Sequence, residues 1–233
     1  PGGVYLDFPG ETVARTLDEA DAGISDRAPE IFAPHPDPVA MYRVADMLAE
    51  AERPLIMLGK GAGWADAGAE LETLVNLGIP YVTSPMGRGI VPDDNPMFMN
   101  GARSQALSGA DAVLMIGGRF NWIFQFGRPP RYAEDARIAQ IDIVPEALTN
   151  AADVEIGVVA DARHAARALH ERLTGRTLKT TSTDWASRLA SASADNAARI
   201  EDRVTSDAMP IDPHRVIAAV RDALPRDAHL AVD

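Results

Sequence analysis

Five short runs limit what this chain can fold into. "PLIMLG" (54–59), "PYVTS" (80–84), "DAVLMIG" (111–117), "RIAQIDI" (137–143) and "VEIGVVA" (154–160) are apolar, with little polar alternation. A strand without a polar face is buried on both sides, as a parallel strand covered by helices is. Stretches of helical character lie between and around them. Asp37 suits an N-cap and Pro38 the first helical position, ahead of a stripe of Val39, Val44, Met47 and Leu48. "AGAELETLVNLG" reads as a helix closed by Gly78, "RSQALSGA" as a short one, and Asp161 to about Leu173 as another. Apolar strands alternating with helices through short turns specify an α/β fold, a doubly wound, mostly parallel sheet with helices on both faces. Six strands are expected.

Three segments follow from composition. Residues 1–36 hold the strand-like "VYLDFP" and then a polar, proline-bearing stretch of linker character. Residues 37–174 carry the α/β pattern. Residues 175–233 open on a linker rich in Thr, Ser and Lys and continue into a polar helix (about 184–203) and a second opened by Asp212 and Pro213. The last residues, "HLAVD", read as the first half of another strand. A strand needs neighbours, so both ends read as cuts; edge strands of a complete protein are the alternative.

Composition excludes several classes. With 233 residues, 46% of them hydrophobic, the chain can bury a sizeable core. No apolar run reaches the roughly 18 residues of a membrane helix and no signal-peptide layout opens the chain, so a cytoplasmic protein without a membrane partner is expected. Zero cysteines remove disulfides and thiolate metal sites, and the five histidines show no ligand spacing. A net charge of -12 argues against nucleic acid as a partner.

Ligands of open parallel sheets bind beyond the carboxyl ends of the strands. Gly59, Lys60, Gly61 and Gly63 follow the first apolar strand; Gly117, Gly118 and Arg119 follow the third; Asp142 ends the fourth. The glycines let a nucleotide approach the backbone, Lys60 and Arg119 suit its phosphates, and Asp142 stands where dinucleotide folds place a ribose-binding carboxylate. Each also has a plainer use: glycine for a tight strand-to-helix turn, a solvated Lys60, a surface ion pair for Arg119, a turn cap for Asp142. Trp122, Ile123, Phe124 and Phe126 are spaced too closely for one helical face. They call for burial in the core or, failing that, in a contact with another domain or subunit.

"SPMGRGIVPDDNP" (84–96), "GARSQAL" (101–107), "GGRFNWIFQFGRPPRY" (117–132) and "QIDIVPEAL" (140–148) resemble the central domain of thiamine-diphosphate enzymes acting on acyl-CoA: the 2-hydroxyacyl-CoA lyases and, next, the oxalyl-CoA decarboxylases. The likeness covers nearly the whole chain. "VYLDFP" resembles the end of the family's pyrimidine-binding domain, and "LPRDAHLAVD" the entry to its diphosphate-binding domain.

For the intact enzyme the resemblance implies thiamine diphosphate and magnesium, cleavage of 2-hydroxyacyl-CoA to formyl-CoA and an aldehyde or ketone, and a dimeric or tetrameric homo-oligomer. The catalytic glutamate and the G-D-G metal motif lie in the flanking domains, so this chain is assigned no catalytic or metal-binding residue and no turnover of its own. It also implies ADP contacts at Lys60, Arg119, Asp142 and the turn Asp161–Ala162, and contacts to the CoA side of substrate at Ala102, Arg103 and Ser104. The chain departs from the pattern at "GGR", where relatives often have G-A-R, and at "VVADA", where a G-D-I type turn is common. Two other readings stand beside this one: a purely regulatory or scaffolding nucleotide-binding domain, and an acetolactate-synthase-like domain that binds flavin. A yellow preparation absorbing near the flavin bands favours the flavin reading; a colourless one does not.

Overall fold

A computed structural model of the chain describes residues 5–23, 27–149, 152–225 and 227–230. They form two compact units, Pro1–Phe32 and Ala33–Asp233. The first holds a one-turn helix, α1 (Gly10–Val13), and a 3-10 turn at Glu19–Asp21, neither with a buried residue.

The second unit is built on five parallel strands: β1 (Pro54–Leu58), β2 (Tyr81–Thr83), β3 (Ala112–Ile116), β4 (Arg137–Asp142) and β5 (Ile156–Val159), in the order β2-β1-β3-β4-β5. All of β1 and β3 is buried, as their unbroken apolar sequence requires. Alternate residues serve opposite faces. Ile56, Leu58, Leu114, Ile116 and Ile141 pack under α2 (Pro38–Glu50), α4 (Gly68–Val75) and α6 (Ala162–Leu173). Leu55, Met57, Val113, Met115 and Ile138 pack on the other face against α5 (Arg103–Gly109), Phe120, Phe124, Tyr132, and Trp185 and Leu189 of α7 (Trp185–Val204). The helices therefore cover both faces, as a doubly wound sheet requires.

Helix starts follow local chemistry. Asp37 accepts from the Ala40 amide at 2.8 Å with Pro38 at the first position. Asp161 accepts from Arg163 and His164, and Asp212 from His214 at the start of α8 (Pro213–Ala223). The first turns of α7 belong to this core: the buried Trp185 ring donates from Nε1 to the Pro54 carbonyl at 3.0 Å.

The expected sixth strand is absent among the described residues. Where the sheet continues past β2, Met97–Met99 makes a single bridge, with Tyr81 N donating to Met97 O and Met99 N to Tyr81 O. Upstream the Met97 amide is taken by the Asn95 side chain at 2.9 Å, and downstream Asn100 takes the Thr83 amide at 2.9 Å, so the ladder extends in neither direction. Tyr5–Pro9 of "VYLDFP" is not a strand. Val4, and Ala231 to Asp233 of "HLAVD", lie outside the described residues.

The strand order reverses between β1 and β3, and there the two following turns meet backbone to backbone. Gly117 has φ +62, and a Cβ on it would lie 2.3 Å from the Ala62 nitrogen. Gly117→Ala therefore adds a backbone clash to left-handed strain and is expected to destabilise by more than about 2 kcal/mol. Gly89→Ala, at φ +80 with open space around it, is expected to cost about 1 kcal/mol. Urea midpoints of the two variants check the contrast.

Candidate functional site

In a sheet ordered 2-1-3-4-5, the crevice for ligands lies beyond the strand ends at the reversal between β1 and β3. The carboxyl edge extends as a line of backbone bonds: Gly59 N to Ile116 O at 2.9 Å, Gly117 N to Ile141 O at 2.9 Å, and Ala160 N to Asp142 O at 3.0 Å. Along it the sequence sets Lys60, then Gly118 and Arg119, then Asp142, then Asp161. The topology thus brings one lysine, one arginine and two aspartates to a single edge.

The site's local geometry is more specific than that alignment. The turn after β1 is already helical: Lys60–Trp64 forms the short α3, with Gly59 ahead of it. Gly61 N donates to Gly117 O at 2.7 Å, so that amide is used inside the protein. A Cβ on Gly59 would lie 2.3 Å from Gly117 O, and one on Gly118 would meet the Met115 sulfur at 2.6 Å. Glycine at these positions lets two loops touch. Lys60 is exposed, and its ammonium lies 5.6 Å from the Trp64 ring centroid, a cation–π distance.

Arg119 is exposed and acts electrostatically on the half-buried Asp142. Burial pushes the Asp142 carboxyl above its usual range; the Val144 amide, donating to Oδ1 at 2.9 Å, and the Arg119 charge pull the other way. Asp142 therefore caps its own turn and also carries a charge that burial disfavours. Asp161 spends Oδ1 on capping α6, its amide donates to Pro34 O at 2.9 Å, and Ala162 is buried in the core.

Ala102, Arg103 and Ser104 lie where α5 begins, beside Asn100, whose side chain bonds Thr83 at the end of β2. Ala102 is buried; Ser104 is exposed and accepts from Arg131 at 3.2 Å. Asn100, Arg103, Ser104, Gln105, Asn196 and Arg199 help line a pocket of about 370 Å³ between α5 and α7.

Arg103 is half-buried, and burial lowers its pKa. Its guanidinium stacks 4.7 Å from the Phe124 centroid, and Nη2 approaches the Ile123 carbonyl at 3.5 Å. Nε is buried without a hydrogen-bond partner, and Arg103 makes no ion pair among the described residues.

The segment under Arg103 was beyond sequence reasoning. Gln125 and Phe126 are left-handed at φ 45 and 56, followed by Gly127 at φ 67. For a residue with a side chain that conformation costs about 1–2 kcal/mol. The aromatic cluster divides accordingly. Phe120 and Phe124 are buried in the core, whereas Trp122 is 75% and Phe126 50% exposed.

Residues 41–169 match the family described as thiamine pyrophosphate enzyme, central domain. The chain belongs to that family. It is 30% identical to a 2-hydroxyacyl-CoA lyase of Oryza sativa subsp. japonica over 96% of its length, and 32% identical to the oxalyl-CoA decarboxylase of Escherichia coli (strain K12) over 96%. It is also 31% identical to the 2-hydroxyacyl-CoA lyase 1 of Mus musculus over 99%. It spans 41%, 40% and 40% of those relatives, about two fifths of each.

A crystal structure described as a thiamin diphosphate-dependent enzyme from Mycobacterium smegmatis superposes with a TM-score of 0.54 at 22% identity. The match covers 65% of this chain and 31% of that one, which supports the fold. The family implies thiamine diphosphate, whose diphosphate is expected to be held through a divalent cation. Among the described residues no group of three His, Asp or Glu is arranged to hold one, and the sequence contains no G-D-G. The described residues do not fit the cofactor's anchoring end.

The raised Asp142 pKa fixes a sign. A carboxyl whose folded pKa lies above its unfolded value stabilises the fold at low pH and loses that contribution as pH rises through the folded value. Asp142→Asn is therefore expected to melt above the native protein at pH 7, with the difference closing as pH falls toward about 4. Paired thermal melts across that range check it.

Proposed function

We propose that this chain is the central domain of a thiamine-diphosphate-dependent enzyme that cleaves 2-hydroxyacyl-CoA to formyl-CoA and an aldehyde or ketone. Decarboxylation of oxalyl-CoA is the second reading, because relatives named for either reaction match over equal shares of the chain. In either case the domain contributes nucleotide and CoA-side contacts and assembly, while the bond-breaking groups and the magnesium site belong to other parts of the enzyme. The carrying observation is the gathering of Lys60, Arg119, Asp142 and Asp161 along one carboxyl edge at the strand-order reversal.

An adenine nucleotide, ADP in the first instance, is the ligand this edge suits. Arg119 is an exposed cation beside a carboxylate already held against burial, so it can meet a phosphate while Asp142 accepts from ribose hydroxyls. Lys60 reaches the phosphates by leaving Trp64, an exchange of one weak cation contact for a stronger one. Gly59, Gly61 and Gly118 act by shaping the turn, and Asp161 and Ala162 by closing the edge with the capped start of α6. The acyl-CoA side falls to Ala102, Arg103 and Ser104 beside the α5–α7 pocket.

Calorimetric titration with ADP and with CoA tests this. ADP is expected to bind the native chain and to bind Arg119→Ala at least tenfold more weakly, with CoA affinity unchanged by that substitution. Heat from neither ligand would leave only a scaffolding role. Cleavage of a 2-hydroxyacyl-CoA by this chain alone would overturn the division of labour.

A further inference from the structure

Three facts meet at Arg103. Its guanidinium lies on Phe124 at 4.7 Å and reaches the Ile123 carbonyl at 3.5 Å, it has no ion-pair partner among the described residues, and its Nε is buried and unbonded. The segment beneath it holds two consecutive left-handed residues with side chains, Gln125 and Phe126, before Gly127. Such a conformation persists only where neighbours over-determine it.

The internal bonds of the segment centre on Asn121. Its carbonyl accepts from the Phe124 amide at 3.1 Å and the Phe126 amide at 3.0 Å, and its side chain accepts from Ile123 at 3.1 Å. Gly127 is pinned in turn, since a Cβ there would lie 2.6 Å from that of Ala152. Between these two ends the middle is held from outside by the burial of Phe124, by Ile123 packing against the same core, and by the arginine lying on Phe124.

We propose that Arg103 is a positioning residue whose guanidinium latches Asn121–Gly127 in its left-handed form, and that an anionic group pairing with Arg103 releases the latch. Pairing through the buried Nε requires the guanidinium to turn, and turning takes it off Phe124 and Ile123. The same segment runs on from Arg119, whose carbonyl accepts from the Asn121 amide at 2.9 Å, so its release reaches the strand-edge site. That the anion is a phosphate of CoA rests on the function proposed above; the latch itself does not.

Amide hydrogen exchange on the whole chain tests it. In Arg103→Ala the Phe124 and Phe126 amides are expected to exchange at least tenfold faster, with Val113–Ile116 of β3 unchanged. Phe124→Leu, which keeps the charge and removes the flat ring, is expected to loosen the same two amides. Arg103→Lys should restore less than half of the protection, because an ammonium lacks the planar face that stacks on the ring.

Unchanged loop amides in Arg103→Ala would overturn the latch, and so would β3 and loop amides speeding up together, which would mean general destabilisation. CoA added to the native chain is expected to speed the loop amides, and to have no such effect in Arg103→Ala. CoA that binds by calorimetry without moving them would overturn the release. CoA that does not bind at all counts against the acyl-CoA reading, and the latch then stands or falls on Arg103→Ala.

Discussion

The contact between the turns after β1 and β3 is the constraint from which the rest of this domain follows. Two neighbouring parallel strands can end at one level only if the chains leaving them do not collide. Here they leave in van der Waals contact, with Gly61 bonded to Gly117 and no room for a side chain on Gly59 or Gly117. That contact sets α3 against the sheet and turns the chain after Gly118 toward the opposite face, where Phe120 and Phe124 enter the core. Arg119 emerges between the two, and its position beside Asp142 is a consequence of how the glycines pack.

The edge so formed is electrostatically uneven. Asp142 is held partly buried with an unfavourable charge, eased by a backbone amide and a neighbouring arginine, whereas Asp161 and Asp37 satisfy their charge on helix amides. Capping carboxylates do structural work and leave little for a ligand; a carboxylate kept short of compensation is the one with something to gain from binding. The same distinction separates the arginines. Arg137 and Arg163 are paired with Glu155 and Asp66, while Arg103 lies on an aromatic ring with no ion pair among the described residues.

Much of the fold was legible from residue pattern. The apolar runs became β1 to β5 because strands buried on both faces need no polar alternation, and Asp37-Pro38, Asp161 and Asp212-Pro213 opened helices because capping is a local interaction. A sixth strand was not realised: the segment beside β2 makes one bridge, because the Asn95 and Asn100 side chains take the Met97 and Thr83 amides that would lengthen it. The aromatic cluster was half legible. Spacing showed that Trp122, Ile123, Phe124 and Phe126 could not share one helical face, yet only the left-handed turn at Gln125–Phe126 decided that Phe124 is buried and Trp122 exposed.

For the candidate site, sequence alone placed Lys60, Arg119, Asp142 and Asp161 after strand ends, because which residue follows a strand is a property of order along the chain. It also carried the family, through stretches whose side chains recur together. Lys60 against Trp64 and Asp161 on its own helix are local contacts, whereas tertiary structure set Arg119 on Asp142 and Arg103 on Phe124. The pairings of Arg119 with Asp142 and of Arg103 with Phe124 depend on distances of a few ångströms between segments about twenty residues apart. Those distances exist only once the strands have been ordered and the glycine turns have closed on each other.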